Sequence, residues 1–252
     1  MNNEILRQLI ALSNNLGRPE LDYSIMGEGN TSARVDEGSF YVKVSGSELR
    51  TATERSFVRC SMERVLALMS VPDLDDKKTK EGLVAAKADP ADPGHPSIEA
   101  LLHALCLRLP GVNFVGHTHP VAINRIACSV NFETAFAGRV FPDEIVVCGV
   151  APVLVPYMDP GIPLALKVGS LFEEYLDKYG EPPRIVIIQN HGLIALGRTP
   201  QQVEDLTRME VKVARILLGA YAAGGPRFMT QHDVDRIHTR PDEAYRKQKL
   251  GI

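Results

Sequence analysis

Two histidines separated by one residue form the strongest chemical signal in the chain. His117 and His119 lie in the segment Val115–Pro120, which reads as the end of a strand. In a strand, residues i and i+2 project from the same face, so both imidazoles can reach one ion. Neutral imidazole is a common ligand of zinc and similar metals. Two solvated or hydrogen-bonded histidines are the alternative, and the spacing alone favours neither.

A third histidine, His191, is a candidate to complete a metal site. It follows the apolar run Ile185–Ile188, which is typical of a buried strand. Side chains at the ends of such strands commonly face a ligand crevice, although a lone histidine there is more often structural. Three protein ligands would leave one position of a zinc ion open for catalysis.

Glu99 is the candidate acid/base. With His103 it shares one face of a helix predicted from Pro96 to Leu109, because the two residues are spaced i, i+4. A carboxylate beside an apolar stripe needs a partner or a function, since burying it unpaired is unfavourable. Proton transfer beside a metal is one such function, and a favourable charge at a helix N-terminus is the alternative.

Two segments rich in glycine and serine, residues 27–32 and 45–47, are candidates for anion binding. Successive backbone N–H groups in such turns form concavities that bind anions, and hydroxyl and amide side chains add donors. Neither segment matches the phosphate-loop or dinucleotide-binding fingerprints. Plain turns between strands are the alternative.

The elements that must position these residues follow from hydrophobic periodicity. Helices are predicted over residues 3–16, 61–69, 96–109, 121–127, 163–179 and 200–223, strands over 112–118, 144–155 and 184–189, and a hairpin over 22–50 that turns near 36–38. Residues 71–96 are predicted to form a long loop. The alternation of elements indicates one α/β domain over residues 1–252, with a mixed sheet and a polar tail from about residue 224.

Composition limits the classes of partner. A hydrophobic content of 44% and a charged content of 23% are typical of a globular protein, and a net charge of -3 argues against nucleic-acid and membrane partners. The four cysteines form no C-x-x-C pair and are expected to be free thiols. Residues 1–4 do not resemble the start of a signal peptide, and the apolar runs are too short to span a bilayer. We therefore expect a cytoplasmic protein.

Five segments, taken together, resemble the class II aldolase/adducin family, which includes fuculose- and rhamnulose-phosphate aldolases and ribulose-phosphate epimerase. They are, in family order, residues 27–32 (GEGNTS), 44–47 (VSGS), 96–103 (PSIEALLH), 116–120 (GHTHP) and 190–193 (NHGL). The resemblance implies a three-layer α/β/α sandwich with a central mixed, largely antiparallel sheet. It also implies a homotetramer with active sites between subunits, acting on a small-molecule substrate.

The resemblance also assigns roles to residues. It implies that His117, His119 and His191 bind a divalent metal, usually Zn²⁺, with Mn²⁺, Co²⁺ and Mg²⁺ as alternatives, and that Glu99 is catalytic. The residues implied to hold a substrate phosphate or equivalent anion are Gly29, Asn30, Ser45, Gly46 and Ser97. The implied reaction is cleavage of a carbon–carbon bond in a keto-sugar phosphate or related hydroxy-ketone, through a metal-stabilised enediolate and a proton moved by Glu99. A glutamate here fits an aldolase better than the epimerase branch.

Two departures from the family pattern keep other reactions open. Ile98 replaces a second serine, which removes a donor for a phosphate, and residues 136–141 lack the tyrosine that the aldolases use. Tyr221 or Tyr245 is a candidate for the second proton donor. Arg139 would suit a substrate carboxylate, with a surface position as its alternative. Decarboxylation, dehydration or epimerisation of a keto acid or sugar acid is therefore a second hypothesis, and a non-catalytic adducin-like assembly module, against which the three histidines argue, is a third.

Overall fold

The computed structural model describes residues 2–72, 74–243 and 245. The strands among them form one mixed sheet: β1 (Asn30–Asp36), β2 (Ser39–Lys43), β3 (Phe57–Ser61), β4 (Phe114–Thr118), β5 (Val153–Val155), β6 (Ile185–Ile188) and β7 (Gly192–Gly197). Their order across the sheet is β3-β2-β1-β4-β7-β6-β5. Neighbours are antiparallel except for β5 and β6, which are parallel.

The helices in the described part of the chain are α1 (Asn2–Leu16), α2 (Met62–Ala67), α3 (Asp76–Ala85), α4 (Ala100–Arg108), α5 (Val121–Ala127), α6 (Phe132–Ala135), α7 (Pro142–Cys148), α8 (Ile162–Tyr179), α9 (Pro200–Ala222) and α10 (Gln231–Thr239). Short 3₁₀ turns cover Pro19–Leu21, Glu54–Ser56 and Leu68–Ser70. None of the helices described is both long and apolar enough to cross a membrane.

Two hydrophobic clusters lie on opposite faces of the sheet. Side chains alternate between the faces along a strand, so Ile185 and Ile187 join one cluster while Val186 and Ile188 join the other. The first cluster packs α1, α5 and α9 against the sheet, and the second packs α2, α4 and α8. Because β6 is buried on both faces, its sequence is uniformly apolar. The predicted three-layer α/β/α sandwich is confirmed.

Residues 144–155 were predicted as buried strands, and this is wrong for the first half. The segment forms α7 and only then the short strand β5. Pro142 stands in the first turn of α7, with Asp143 and Glu144 beside it, and all three favour a helix start. The residues Glu144–Cys148 are all buried, so this helix is as apolar as a buried strand and periodicity cannot separate the two.

Two other predictions need correction. The segment 71–96 contains α3, whose N-cap Asp75 accepts a hydrogen bond from the Lys78 backbone N at 2.7 Å, so it is not a continuous loop. The helix predicted from Pro96 begins at Ala100, which leaves residues 97–99 in a turn before it. That turn carries Glu99.

Candidate metal centre

The three predicted metal ligands come from two places that the sheet brings together. His117 is in β4, opposite Asn30 of β1 on one side and Ile194 of β7 on the other. His119 follows β4 directly, and His191 lies in the turn between β6 and β7. Because β4 and β7 are adjacent and antiparallel, the end of one strand meets the start of the other. The site therefore lies at one end of the central strands.

The imidazole rings converge on one point. His117 Nε2 lies 3.1 Å from His119 Nε2 and 3.3 Å from His191 Nε2. A tetrahedral zinc ion with Zn–N bonds of about 2.0–2.1 Å would place its nitrogen ligands about 3.3 Å apart. The three rings meet edge to face, with centroids 4.8–5.1 Å apart, so their nitrogens rather than their faces meet. This group could hold a metal ion.

Hydrogen bonding and electrostatics prepare the rings as ligands. The Leu193 carbonyl lies 3.0 Å from His117 Nδ1, and since a carbonyl can only accept, Nδ1 carries the proton and Nε2 presents its lone pair. Burial, together with the nearby His117 and His191, lowers the pKa of His119 to about 3, so this ring is neutral at physiological pH. Metal binding requires neutral imidazole, and His119 already has that form.

The Glu99 carboxylate points to the place where the three imidazole rings converge. Its buried Oε1 lies 3.3 Å from His191 Nε2 and 3.4 Å from His117 Nε2. Among the described residues no donor makes a well-aligned hydrogen bond to Oε1, whereas Oε2 accepts one from Asn30 Nδ2. A buried, unsatisfied carboxylate oxygen is unfavourable, and a cation at the focus of the rings would compensate it. The residues present therefore fit a divalent ion.

Glu99 and His117 shift each other's pKa, and a proton on His117 Nε2 would compete with a metal ion for that nitrogen. Burial alone would raise the pKa of Glu99, but His117, followed by His191, outweighs it and holds that pKa well below the usual range. Burial alone would likewise lower the pKa of His117, but the Glu99 carboxylate outweighs it and raises that pKa. Glu99 stands at the N-cap of α4 without making a capping hydrogen bond. Its carboxylate is directed to the histidines and does not cap the helix.

Two glycines allow the close approach of these segments. A Cβ on Gly192 would lie 2.5 Å from the Thr118 carbonyl oxygen and 2.7 Å from His119 Cδ2. Gly29 has φ +69°, and a Cβ there would lie 2.6 Å from the His117 carbonyl oxygen. Gly192 of the NHGL segment and Gly29 of the GEGNTS segment are therefore steric requirements of the site.

A cavity of about 260 Å³ lies beside the histidines. It is lined by all five residues predicted to bind an anion, Gly29, Asn30, Ser45, Gly46 and Ser97, and also by Glu99, His119 and His191. Backbone hydrogen bonds hold its two walls together, from Ser45 N to the His95 carbonyl at 2.9 Å and from Ser97 N to the Lys43 carbonyl at 3.4 Å. The turn at residues 45–47 and the turn that carries Glu99 thus form one connected unit.

Lys43, which sequence reasoning missed, also lines this cavity. Its side chain is buried, and Nζ donates hydrogen bonds to the Gly27 carbonyl at 3.2 Å and to the Ser47 carbonyl. Burial lowers the pKa of Lys43, and the charge of Glu99 opposes that shift. The available signal was a lysine at the end of an alternating strand, directly before the VSGS turn.

The remaining predicted residues are not brought to the histidines. Arg139 is buried, so it is not a surface residue, and it does not line the cavity. Its Nη1 donates to Glu144 Oε1 at 2.8 Å and its Nε to the Gly149 carbonyl at 3.0 Å. Tyr221 and Tyr245 are exposed and do not line the cavity either.

Comparisons with known proteins identify the family. The profile of the class II aldolase and adducin N-terminal domain matches residues 7–218. The chain is 31% identical to the uncharacterized oxidoreductase YuxG of Bacillus subtilis over 69% of its own length, and it spans about a quarter (24%) of that protein. It is 25% identical to the 3-oxo-tetronate 4-phosphate decarboxylase of Haemophilus influenzae, over 89% of this chain and 93% of the relative. It is 28% identical to the methylthioribulose-1-phosphate dehydratase of Geobacillus kaustophilus, over 78% and 86%.

Solved structures agree on the fold. The N-terminal class II aldolase domain of a conserved Thermoplasma acidophilum protein is 25% identical, with a TM-score of 0.64 over 84% of this chain and 93% of that one. An L-fuculose 1-phosphate aldolase is 15% identical, with a TM-score of 0.71 over 94% and 96%. The chain belongs to the class II aldolase and adducin N-terminal domain family.

Proposed function

We propose that the chain is a metal-dependent lyase that cleaves a carbon–carbon bond in a keto-sugar phosphate or a related hydroxy-ketone. The observation that carries the proposal is the convergence of three imidazole nitrogens and the unsatisfied Glu99 Oε1 beside an anion-sized cavity. His117, His119 and His191 would hold the ion, with Zn²⁺ favoured because three nitrogen ligands leave one position open. When bound, the ion supplies a Lewis acid that stabilises negative charge on the substrate.

Glu99 is proposed to move the proton at the carbon that becomes nucleophilic. When the carbon–carbon bond breaks, the substrate hydroxyl that becomes the aldehyde loses a proton and the nucleophilic carbon gains one. Glu99 would take up a proton as a carboxylate and deliver it to that carbon. The hydrogen bond from Asn30 Nδ2 to Oε2 fixes the carboxylate and leaves Oε1 for the reaction. Asn30 would therefore orient the proton acceptor as well as line the anion cavity.

The anionic end of the substrate is proposed to lie between the two glycine and serine turns. Ser45, Gly46 and Ser97 would supply hydroxyl and backbone donors. Lys43 would add positive charge, because its ammonium lines the cavity and two of its three donors are already satisfied by carbonyls. Ile98 lines the same cavity and would make contact with an apolar part of the substrate.

Decarboxylation of a keto acid is the second candidate. The Haemophilus influenzae decarboxylase covers nearly the whole chain, and the aldolase tyrosine is absent from residues 136–141. A decarboxylase would use the same ion and the same anion cavity. Arg139 would have no part in binding the carboxylate, because its guanidinium is buried in contacts within the chain.

The test is a panel of keto-sugar phosphates, free keto-sugars and keto acids, with aldehyde, carbon dioxide and loss of water measured separately. Aldehyde release is the expected product, and carbon dioxide release would favour the second candidate. Glu99→Gln serves as the matched control, since it should retain metal but lose turnover. Protein that binds no stoichiometric metal and turns over no substrate would support the non-catalytic assembly module instead.

We also propose that the chain forms a homotetramer with active sites between subunits. Large apolar side chains are exposed near the site, including Ile25 (65% exposed) and Val121 (47%), which line a second cavity beside His119. Covering them with another copy would remove apolar surface from water. Light scattering coupled to size-exclusion chromatography tests this, and a monomer at micromolar concentration would contradict it. The cytoplasmic location stays a prediction.

A further inference from the structure

The turn that carries His191 is held from outside its own hairpin. Asn190 has a left-handed backbone with φ +54°, and within the turn the His191 N donates to the Ile188 carbonyl at 3.2 Å. Two further hydrogen bonds join this turn to helix α5. The Asn190 N donates to the Ala127 carbonyl at 3.1 Å, and Asn124 Nδ2 donates to the His191 carbonyl at 3.0 Å. The position of the third ligand therefore depends on α5.

Helix α5 is also attached to the second ligand. It begins at Val121, two residues after His119, and its start is fixed by hydrogen bonds from the His119 N to the Tyr23 carbonyl at 2.7 Å and from the Val121 N to the Asp22 carbonyl at 3.1 Å. Buried apolar side chains hold α5 against the first hydrophobic cluster. Helix α5 is thus linked to His119 through the main chain and to the turn of His191 through hydrogen bonds.

Asn124 is not explained by stability alone. Because a carbonyl can only accept, the amide must direct Nδ2 to the His191 carbonyl, and its Oδ1 is then buried with no hydrogen-bond partner in the described part of the chain. Leaving a buried acceptor unsatisfied is unfavourable by about 1–3 kcal/mol. The hydrogen bond to the His191 carbonyl is therefore accompanied by an unfavourable buried acceptor on Asn124.

We propose that Asn124 is a positioning residue that sets the angle of His191 toward the metal through its hydrogen bond to the His191 backbone. This inference rests on the proposed metal centre. Contacts outside the ligand shell that orient metal ligands typically change affinity 10–100-fold when they are removed. The Asn124 hydrogen bond is to the His191 backbone and not to its ring. Removing it should therefore change the geometry of the metal site but not the number of ligands.

The test uses Co²⁺, whose visible absorption reports ligand geometry, together with the dissociation constant from chelator competition. Asn124→Asp keeps the shape of the side chain but replaces the donor by an acceptor, and Asn124→Ala removes both. Both variants are expected to bind Co²⁺ about 10–100-fold more weakly, with an altered visible spectrum. Asn113→Asp is the matched control, because Asn113 Nδ2 also donates to a backbone carbonyl, that of Arg198, at 3.4 Å.

The outcomes separate the two proposals. If the wild-type protein binds no Co²⁺, the metal centre itself is wrong. If the wild type binds Co²⁺ and both Asn124 variants bind it with unchanged affinity and spectrum, the metal centre stands and the positioning role is overturned. A loss of affinity of the same size in Asn113→Asp would also overturn it. Should Asn124→Asp fail to fold, Asn124→Ala and its thermal unfolding without metal decide the question in the same way.

Discussion

Replacing Glu210 by glutamine should stabilise the protein above pH 7 and have little effect below pH 4.5. Glu210 is fully buried in α9, where its carboxylate lies near the buried thiol of Cys148, a weak hydrogen-bond donor. The nearby Arg139 is already paired with Glu144 at 2.8 Å. Burial raises the pKa of Glu210 from 4.5 to about 7, with Arg139 opposing the shift and Glu144 adding to it. Above pH 7 the folded protein therefore carries a buried charge in excess.

The magnitude follows from proton linkage. Between pH 4.5 and 7 the folded state keeps a proton that the unfolded state has released, so stability falls as pH rises through this window. The difference of 7 − 4.5 = 2.5 pKa units, at about 1.4 kcal/mol per unit, corresponds to about 3 kcal/mol. Glutamine has a similar volume and no charge, so it should avoid this loss.

Urea unfolding at pH 4, 5, 6, 7 and 8 measures the effect. The protein should be free of metal and at constant concentration, because metal binding and subunit association also depend on conditions. The stability of Glu210→Gln relative to wild type should rise by about 3 kcal/mol between pH 4 and pH 8, whereas the exposed control Glu173→Gln should show no such trend. A difference that is constant with pH, or a wild type more stable at pH 8, would mean that Glu210 is ionised and paired with Arg139, and would refute this reasoning.

Three further predictions concern the site. Gly192→Ala places a Cβ 2.5 Å from the Thr118 carbonyl oxygen. It should therefore lower the free energy of unfolding by about 1–3 kcal/mol and weaken metal binding, measured by chelator competition. Gly219→Ala is the control and should be tolerated, because its Cβ would meet no atom within 4 Å. Lys43→Met should weaken binding of inorganic phosphate, measured by calorimetry, and raise KM more than it lowers kcat; an unchanged affinity for phosphate would contradict the role of the ammonium. Glu99→Gln should retain stoichiometric metal by elemental analysis but lose turnover by about 10²–10⁴-fold, and retained turnover would exclude Glu99 as the proton acceptor.

The local pattern of the sequence predicted the outer helices and the pair of His117 and His119, because each depends on short-range spacing. In α1, Leu9, Leu12 and Leu16 recur at helical intervals and are all buried. His117 and His119 are two residues apart at the end of one strand, so extended backbone geometry directs them to one side. These predictions needed no information about distant segments.

What the sequence could not predict depends on contacts between distant segments. Arg139 is an exception, because its partner Glu144 is only five residues away; its burial was missed because the fully buried helix of this segment has the composition of a strand. Lys43 is buried because carbonyls of two separate turns satisfy its donors, and no local pattern shows such pairing. The bond from Asn124 to the His191 backbone joins residues 67 positions apart. Tertiary contacts of this kind decide these positions.

The connection between the two walls of the cavity bears on how its substrate range could change. Backbone hydrogen bonds join the turn before α4 to the end of β2, so the main chain sets the backbone position of Glu99, while Asn30 orients its carboxylate. Ile98 is next to Glu99 in that turn, and its side chain lies against Gly161 at the rim of the cavity. Substituting residue 98 should therefore reshape the rim of the cavity without moving the backbone that carries Glu99. The range of substrates could then change at this position while the reacting group stays in place.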